Sequence, residues 1–501
     1  MSLYGILWRA VWSGKSLSGR QVNITNLISI STMETVNNAH EAKGFYKLSW
    51  MQRIGFGSGD LAQNLIFQVT CMYLLFFYTD IYGLNEIDVS VMFLVGNVAN
   101  VIWDPIVGAL IDKSNPKLGK YRSYLVYVGI PLSGFAILCF YDGFAPSLVY
   151  AYVTYIAMTL LYTFINVPYG ALNSALTRDT NEITILTSVR MFLANCGGLA
   201  VGSGLPLLIA FFTDEKTDGL PKDPKAWFIT MSIYGVVGLL LLFFCFSQCK
   251  ERVVMDAKES ENVKASDLVV EFVRNRPLRV IAFFFITAFA MMSIGNAAGA
   301  YFVNSNLHGT PEQLSIFMGL GSAPAFIFMP FVPVIKKAIG KRNMFYAFLT
   351  IAIIGMAALY IIAKMETPNM TLIYIAQFIK STGVIVATGY MWALVPEVIS
   401  YGEYTSGKRI AGIVNALTGL FFKAGMTLGS VVAPAVLAYV AYNKETVEQT
   451  PFAQEGILWL VCVIPAILLA VAMIIISQYE LTDEKIDEIN KAIEERAHNA
   501  K

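Results

Sequence analysis

Charge is scarce in this sequence. Asp, Glu, Lys and Arg make up 14% of its 501 residues, against about 25% in soluble domains. Hydrophobic residues reach 56%, and mean hydropathy is +0.58. This balance excludes an ordinary soluble domain and indicates a polytopic membrane protein. Histidine is almost missing: His40, His308 and His498 all lie outside the apolar segments, which argues against a histidine proton relay in the membrane. The six cysteines (Cys71, Cys139, Cys196, Cys245, Cys249, Cys462) fall in or at the ends of apolar segments without metal-ligand spacing, and read as small core residues. There is no His/Cys metal cluster, nucleophile–base arrangement or phosphate-binding glycine loop, so no enzyme and no cofactor is expected. A net charge of +1 gives no basis for a nucleic-acid partner.

No cleavable leader is expected either, since residues 1–46 lack a clean apolar core followed by small residues. They read as a disordered cytoplasmic tail, with a mildly apolar start from Leu3 to Trp12 and Met33 as an alternative initiator.

What is abundant is the apolar run of about 20 residues, the length that spans a bilayer as a helix. Twelve are expected: 54–80, 88–111, 123–141, 147–173, 187–213, 226–248, 277–303, 312–335, 343–363, 370–396, 411–441 and 456–478. The charged segment 249–276 divides them six and six, giving bundles over 47–248 and 277–478, and a tail over 479–501. Within that tail, Ile486, Ile489 and Ala492 share one face of an expected short helix. With the N-terminus inside, inner segments carry 28 Lys and Arg and outer loops five, so the positive-inside rule places both termini in the cytoplasm. The halves echo each other weakly: Leu118-Gly119-Lys120-Tyr121-Arg122 after span 2 resembles Ile339-Gly340-Lys341-Arg342 after span 8. The expected fold is therefore all-α, with twelve transmembrane helices in two pseudo-symmetric six-helix bundles, the major facilitator arrangement.

Five charges interrupt these runs: Asp60, Asp104, Arg190, Lys380 and Lys423. Each would cost about 3 kcal/mol facing lipid, so each is expected to face water or a partner. Polar residues continue their helical faces. Span 1 carries Asp60, Asn64 and Gln68; span 2 Asn97, Asn100 and Asp104; span 4 Thr159, Thr163 and Asn166, flanked by Tyr155, Tyr162 and Tyr169. Span 10 adds Gln377, Lys380, Ser381, Thr388 and Trp392, and span 11 Asn415, Thr418 and Lys423. Any one of these could simply glue helices together. Stripes on five spans suit a lined cavity, in which amides, hydroxyls and rings match the hydroxyls and C–H faces of a sugar.

Several stretches resemble the glycoside–pentoside–hexuronide:cation symporters. They are Gly57-Ser58-Gly59-Asp60, Tyr78-Thr79-Asp80, Trp103-Asp104-Pro105-Ile106-Val107-Gly108, Gly119-Lys120-Tyr121-Arg122, Tyr162-Thr163-Phe164-Ile165-Asn166-Val167-Pro168, Tyr401-Gly402-Glu403-Tyr404 and Lys423-Ala424-Gly425. The resemblance runs from about Lys47 to the C-terminal tail. It implies a monomeric multi-pass carrier in the plasma (inner) membrane, surrounded by lipid, that imports a small sugar together with H+ or Na+. It places Asp60, Asn64, Tyr162, Asn166, Tyr169, Arg190, Lys380 and Thr388 near substrate, and Asp104, Asn100, Thr163 and Lys423 near the coupling ion.

The sequence departs from the melibiose-permease pattern at Asn100 and Asn166, where acids are usual, and at Gly170, where an aromatic is usual. Sodium favours several oxygen ligands with net negative charge, so losing two carboxylates argues for proton coupling, or none, ahead of sodium. A lone carboxylate can carry a proton if burial raises its pKa. The positive excess in the spans fits an anionic sugar countered by Lys380 and Arg190. If Lys380 instead pairs with Asp60 or Asp104, a neutral glycoside or oligosaccharide is equally suited.

An inner gate is expected from the loop with Asp112, Lys120 and Arg122 facing Glu397, Glu403, Lys408 and Arg409, through exposed pairs worth about 0–1 kcal/mol each. Two readings stay open beside symport: an uncoupled sugar facilitator, and a carrier of lipid or another amphiphile, which should line its cavity with apolar side chains.

Overall fold

Side chains that repeatedly fix the first turn of a helix punctuate the apolar runs. Ser49 and Gln52 form a capping box, as do Thr310 and Gln313, and Asn85, Ser147, Asp223, Asn275, Asn369 and Thr450 each cap a helix start with a side-chain oxygen. Pro224, Pro311 and Pro451 follow such caps, where the missing N–H costs nothing. The structure, a computed structural model, describes residues 46–499 except 115, 178–179, 214–218, 253–264, 407–410, 445 and 447.

Twelve helices result: α1 (Trp50–Met72), α2 (Glu86–Lys113), α3 (Ser123–Leu138), α4 (Leu148–Leu176), α5 (Thr180–Phe212), α6 (Pro224–Gln248), α7 (Arg276–Asn306), α8 (Pro311–Ile339), α9 (Lys341–Ala363), α10 (Met370–Met391), α11 (Ala411–Tyr439) and α12 (Pro451–Ser477). Each corresponds to one expected span. Among the described residues, ten are long and apolar enough to cross a membrane. An eleventh, α1, breaks at Tyr73 and continues as Leu74–Ile81 at 51°. The twelfth, α3, is apolar but shorter.

Within the first half α1 packs on α5 and α6; within the second, α7 packs on α11 and α12, and α9 on α10. The halves meet through α2 against α11 and α5 against α8, an exchange-related pair of contacts. Apart from the continuation of α1, three further helices lie outside these ranges among the described residues, one of them Leu394–Ser406 just after α10. The segment expected as a loop over 249–276 contains Ala265–Arg274, which packs against α11. The expected C-terminal helix is Asp483–Asn499; Ile489 is buried, and Ile486 packs beside it.

Contacts between the halves gather at the end where α1 finishes. Tyr73, Phe76, Phe77, Phe140, Trp227 and Tyr301 are fully buried there as packed rings. Polar links lie there too: Thr79 and Tyr301 share a hydrogen bond at 2.6 Å, Tyr442 donates to Asp80 at 3.0 Å, and Ser315 donates to the Ser203 carbonyl at 2.6 Å. We call this the closed end.

Candidate functional site

Four of the five charges within the spans are brought into two pairs. In the first half, Arg190 Nε on α5 donates to Asp60 Oδ2 on α1 at 2.9 Å. The guanidinium also lies over the Tyr169 ring of α4, 5.2 Å from its centroid. Tyr169 in turn stacks on Phe56 and donates its hydroxyl to the Phe56 carbonyl at 2.6 Å. Close approach requires a glycine: a Cβ at Gly59 would lie 2.5 Å from the Tyr169 ring.

The second pair joins the halves. Lys423 of α11 donates to Asp104 Oδ2 of α2. Asp104 Oδ1 and, one turn earlier, Asn100 Oδ1 are buried acceptors with no hydrogen-bond partner. Thr163 is buried on α4. Among the described residues no group of three or more His, Cys, Asp or Glu could hold a metal ion.

Two cavities flank α1 and α7 between the halves. One, of about 130 Å³, has Thr70, Asn97, Asn100, Thr159, Tyr162 and Ser430 set among apolar side chains such as Ile66, Leu75, Phe93 and Met158; Tyr162 stacks on Phe67. The other, of about 170 Å³, is lined by Gln68, Asn195, Asn296, Gln377, Lys380 and Ser381 with several methionines. Lys380 thus joins neither aspartate, since both have other partners. Its ammonium lies 5.8 Å from the centre of the Phe317 ring. Among the described residues no carboxylate pairs with it.

Three of the expected substrate contacts are placed differently. Tyr169 is fully buried and spends its hydroxyl on the backbone, so it backs Arg190 and does not face a cavity. The Thr388 hydroxyl donates to the Val384 carbonyl of its own helix at 2.8 Å. Asn64 donates to the Asp60 carbonyl at 3.0 Å and accepts from Gln68, bracing α1. Asn166 is exposed on α4, as is Gly170 one turn on, where an added Cβ would meet nothing within 4 Å.

The expected gate residues bind within their own halves. The backbone N–H groups of Lys120, Tyr121 and Arg122 all donate to the Glu251 carboxylate, at 2.9, 2.7 and 2.8 Å. Glu397 takes Lys341 at 2.8 Å and the Tyr479 hydroxyl at 2.9 Å. Glu403 is half-buried on Leu394–Ser406. Lys408, Arg409 and the Asp112 side chain lie outside the described residues. Sequence reasoning missed Glu251 because its partners are backbone amides. It also missed the closed-end group of Asp80, Lys222 and Tyr442, of which the sequence marks only Asp80, within a stretch resembling the family.

Residues 55–483 match the MFS/sugar transport protein family. The uncharacterized symporter YnaJ of Bacillus subtilis (strain 168) is 42% identical over 454 residues, covering 90% of this chain and 96% of that protein. The putative glycoside/cation symporter YagG of Escherichia coli (strain K12) is 30% identical over 451 residues, covering 89% of this chain and 95% of that one. A crystal structure of a bacterial homolog of the human lysosomal transporter Spinster, inward-facing and unoccupied, superposes with a TM-score of 0.62 at 12% identity, covering 86% of this chain and 96% of that one. That likeness speaks to fold alone. A chain with twelve spanning helices and a charge pair joining its halves, matched over most of its length, belongs to the MFS/sugar transport protein family, the glycoside–pentoside–hexuronide:cation symporters.

Proposed function

We propose that this chain imports a glycoside or related sugar by alternating access, coupled to a proton through Asp104. The observation that carries the reading is the Asp104–Lys423 pair, because it links the two halves at the level of the cavities. A proton arriving on Asp104 would neutralise the carboxylate and free Lys423, loosening the contact of α2 with α11. The unpartnered Asp104 Oδ1 offers the proton a place. For sodium the same place supplies one carboxylate, already engaged by an ammonium, and one amide oxygen from Asn100, which is a poor set for a hard cation.

Asp60 and Arg190 form a polar pair suited to sugar hydroxyls, and both cavities set amides and hydroxyls among a mainly apolar lining, a mixture that suits the hydroxyls and C–H faces of a sugar. The Lys and Arg distribution supports cytoplasmic termini, which puts the closed end outside and makes this an inward-facing state. In it Glu251 holds the backbone of Lys120, Tyr121 and Arg122, and Lys341 and Tyr479 hold Glu397; outward-facing, these groups would be free to meet across the halves.

Binding of glycosides to the purified chain separates the two aspartates. Asp60→Asn should lower affinity more than tenfold, whereas Asp104→Asn should keep binding and abolish proton-driven uptake. If sodium at fixed pH accelerates uptake several-fold and Asp104→Asn removes that effect, the coupling assignment is wrong.

A further inference from the structure

We infer that Lys380 is the anion-accepting group of a second substrate subsite, so that the carrier selects sugars bearing a carboxylate over their uncharged counterparts. The inference rests on the sugar reading above and names the substrate class within it. Its basis is charge accounting. Asp60 neutralises Arg190 and Asp104 neutralises Lys423, which leaves Lys380 as the unmatched charge of the five. Lysines in spans ordinarily reach the interface with their long stems or meet an acid. Lys380 does neither. It sits midway along α10, roughly 15 Å from either end at 1.5 Å per residue, too far for its stem to reach.

The surroundings are built for a ligand with both charge and hydroxyls. Gln377, one turn earlier on α10, donates its Nε2 to the Phe317 carbonyl at 3.3 Å, which leaves its buried Oε1 without a partner. That oxygen can accept from a sugar hydroxyl while the neighbouring ammonium takes the carboxylate. Asn195, Asn296 and Ser381 line the same cavity, and the Phe317 ring offers an apolar flank. The position of Lys380 is also held firmly. Gly355 of α9 lies so close that a Cβ there would be 2.4 Å from the Lys380 backbone nitrogen. A backbone anchored before the ligand arrives leaves only the stem of Lys380 to order on binding.

The test is equilibrium binding to the purified full-length chain of two matched pairs: 4-nitrophenyl β-glucuronide with the β-glucoside, and the β-galacturonide with the β-galactoside. In at least one pair the acid should bind about tenfold tighter, the scale of one charge-assisted contact. Lys380→Gln should remove that preference and Lys380→Arg should keep it; Lys380→Arg, together with loss of the preference at high salt in the unaltered chain, serves if the Gln variant does not fold. Equal affinity within both pairs, or a preference that survives Lys380→Gln, overturns the subsite and leaves the sugar reading standing. Binding of none of the four compounds overturns both.

Discussion

Asp60 and Arg190 sit 130 positions apart in sequence, yet each removes the other's cost in the membrane. Truncating one partner leaves an uncompensated charge, which typically costs about 3 kcal/mol or more when the pair is buried. Asp60→Ala should therefore lower the thermal unfolding midpoint in detergent more than the double change Asp60→Ala with Arg190→Ala does. Equal losses would show that the pair contributes nothing as a pair. All five intramembrane charges were legible in the sequence, because a charge in an apolar run is conspicuous. Their pairing was not, since α2 and α11 must first meet before Asp104 can find Lys423, 319 positions away. Tyr169 was misread for a related reason. Its neighbours in the motif suggested a cavity wall, but the gap left by Gly59 draws the ring inward against Phe56.

Helices are held in register by close contacts, and that of α9 against α10 bears directly on Lys380. Gly355→Ala places a methyl against the Lys380 backbone, where only a shift of the whole of α10 can make room. Overpacking of that kind costs about 1–3 kcal/mol. It should destabilise the chain and weaken binding of acidic sugars, while Gly134→Ala, with nothing within 4 Å of the added Cβ, should do neither. Matching midpoints for the two variants would contradict this. The C-terminal helix depends on a different device. Partial burial pushes the Asp483 carboxyl up, but hydrogen bonds and charge from Lys336 and Lys341 outweigh it and hold it below its ordinary value of 3.8. The carboxyl's contribution to docking is thus present above that value and fades as pH falls through the lower folded one. Hydrogen exchange in Asp483–Asn499 should be unchanged from pH 7 to 5 after correction for intrinsic rates, and faster near pH 3; Asp483→Asn should show the fast rate throughout. Helix positions were readable from run length and caps. The break in α1 at Tyr73 was not, because no proline or glycine marks it.

The molecule as a whole is divided by its contacts into a closed end and an end where the gate residues turn to their own halves. Asp80 is central to the closure: its side chain is fully buried, and it accepts from Lys222 at 3.1 Å, from Tyr442 of the other half at 3.0 Å and from Thr79. Lys222 also donates to the Lys444 carbonyl across the same seam. Asp80→Asn removes the charge that gathers them. It should raise, several-fold, the rate at which an impermeant maleimide added on the side of the closed end labels a cysteine placed at Ser430, in a background lacking other reactive cysteines. An unchanged rate would mean that aromatic packing alone seals this end. None of this closure was legible in advance, because it is assembled from single polar residues contributed by loops and helix ends of both halves.

The most direct measurement is accumulation of a radiolabelled glycoside by proteoliposomes containing the purified chain, under an imposed proton gradient at constant low sodium. The account predicts uphill accumulation that collapses with a protonophore and is absent in Asp104→Asn, which still exchanges substrate down its gradient. Accumulation that ignores the proton gradient, or that Asp104→Asn retains, would contradict it.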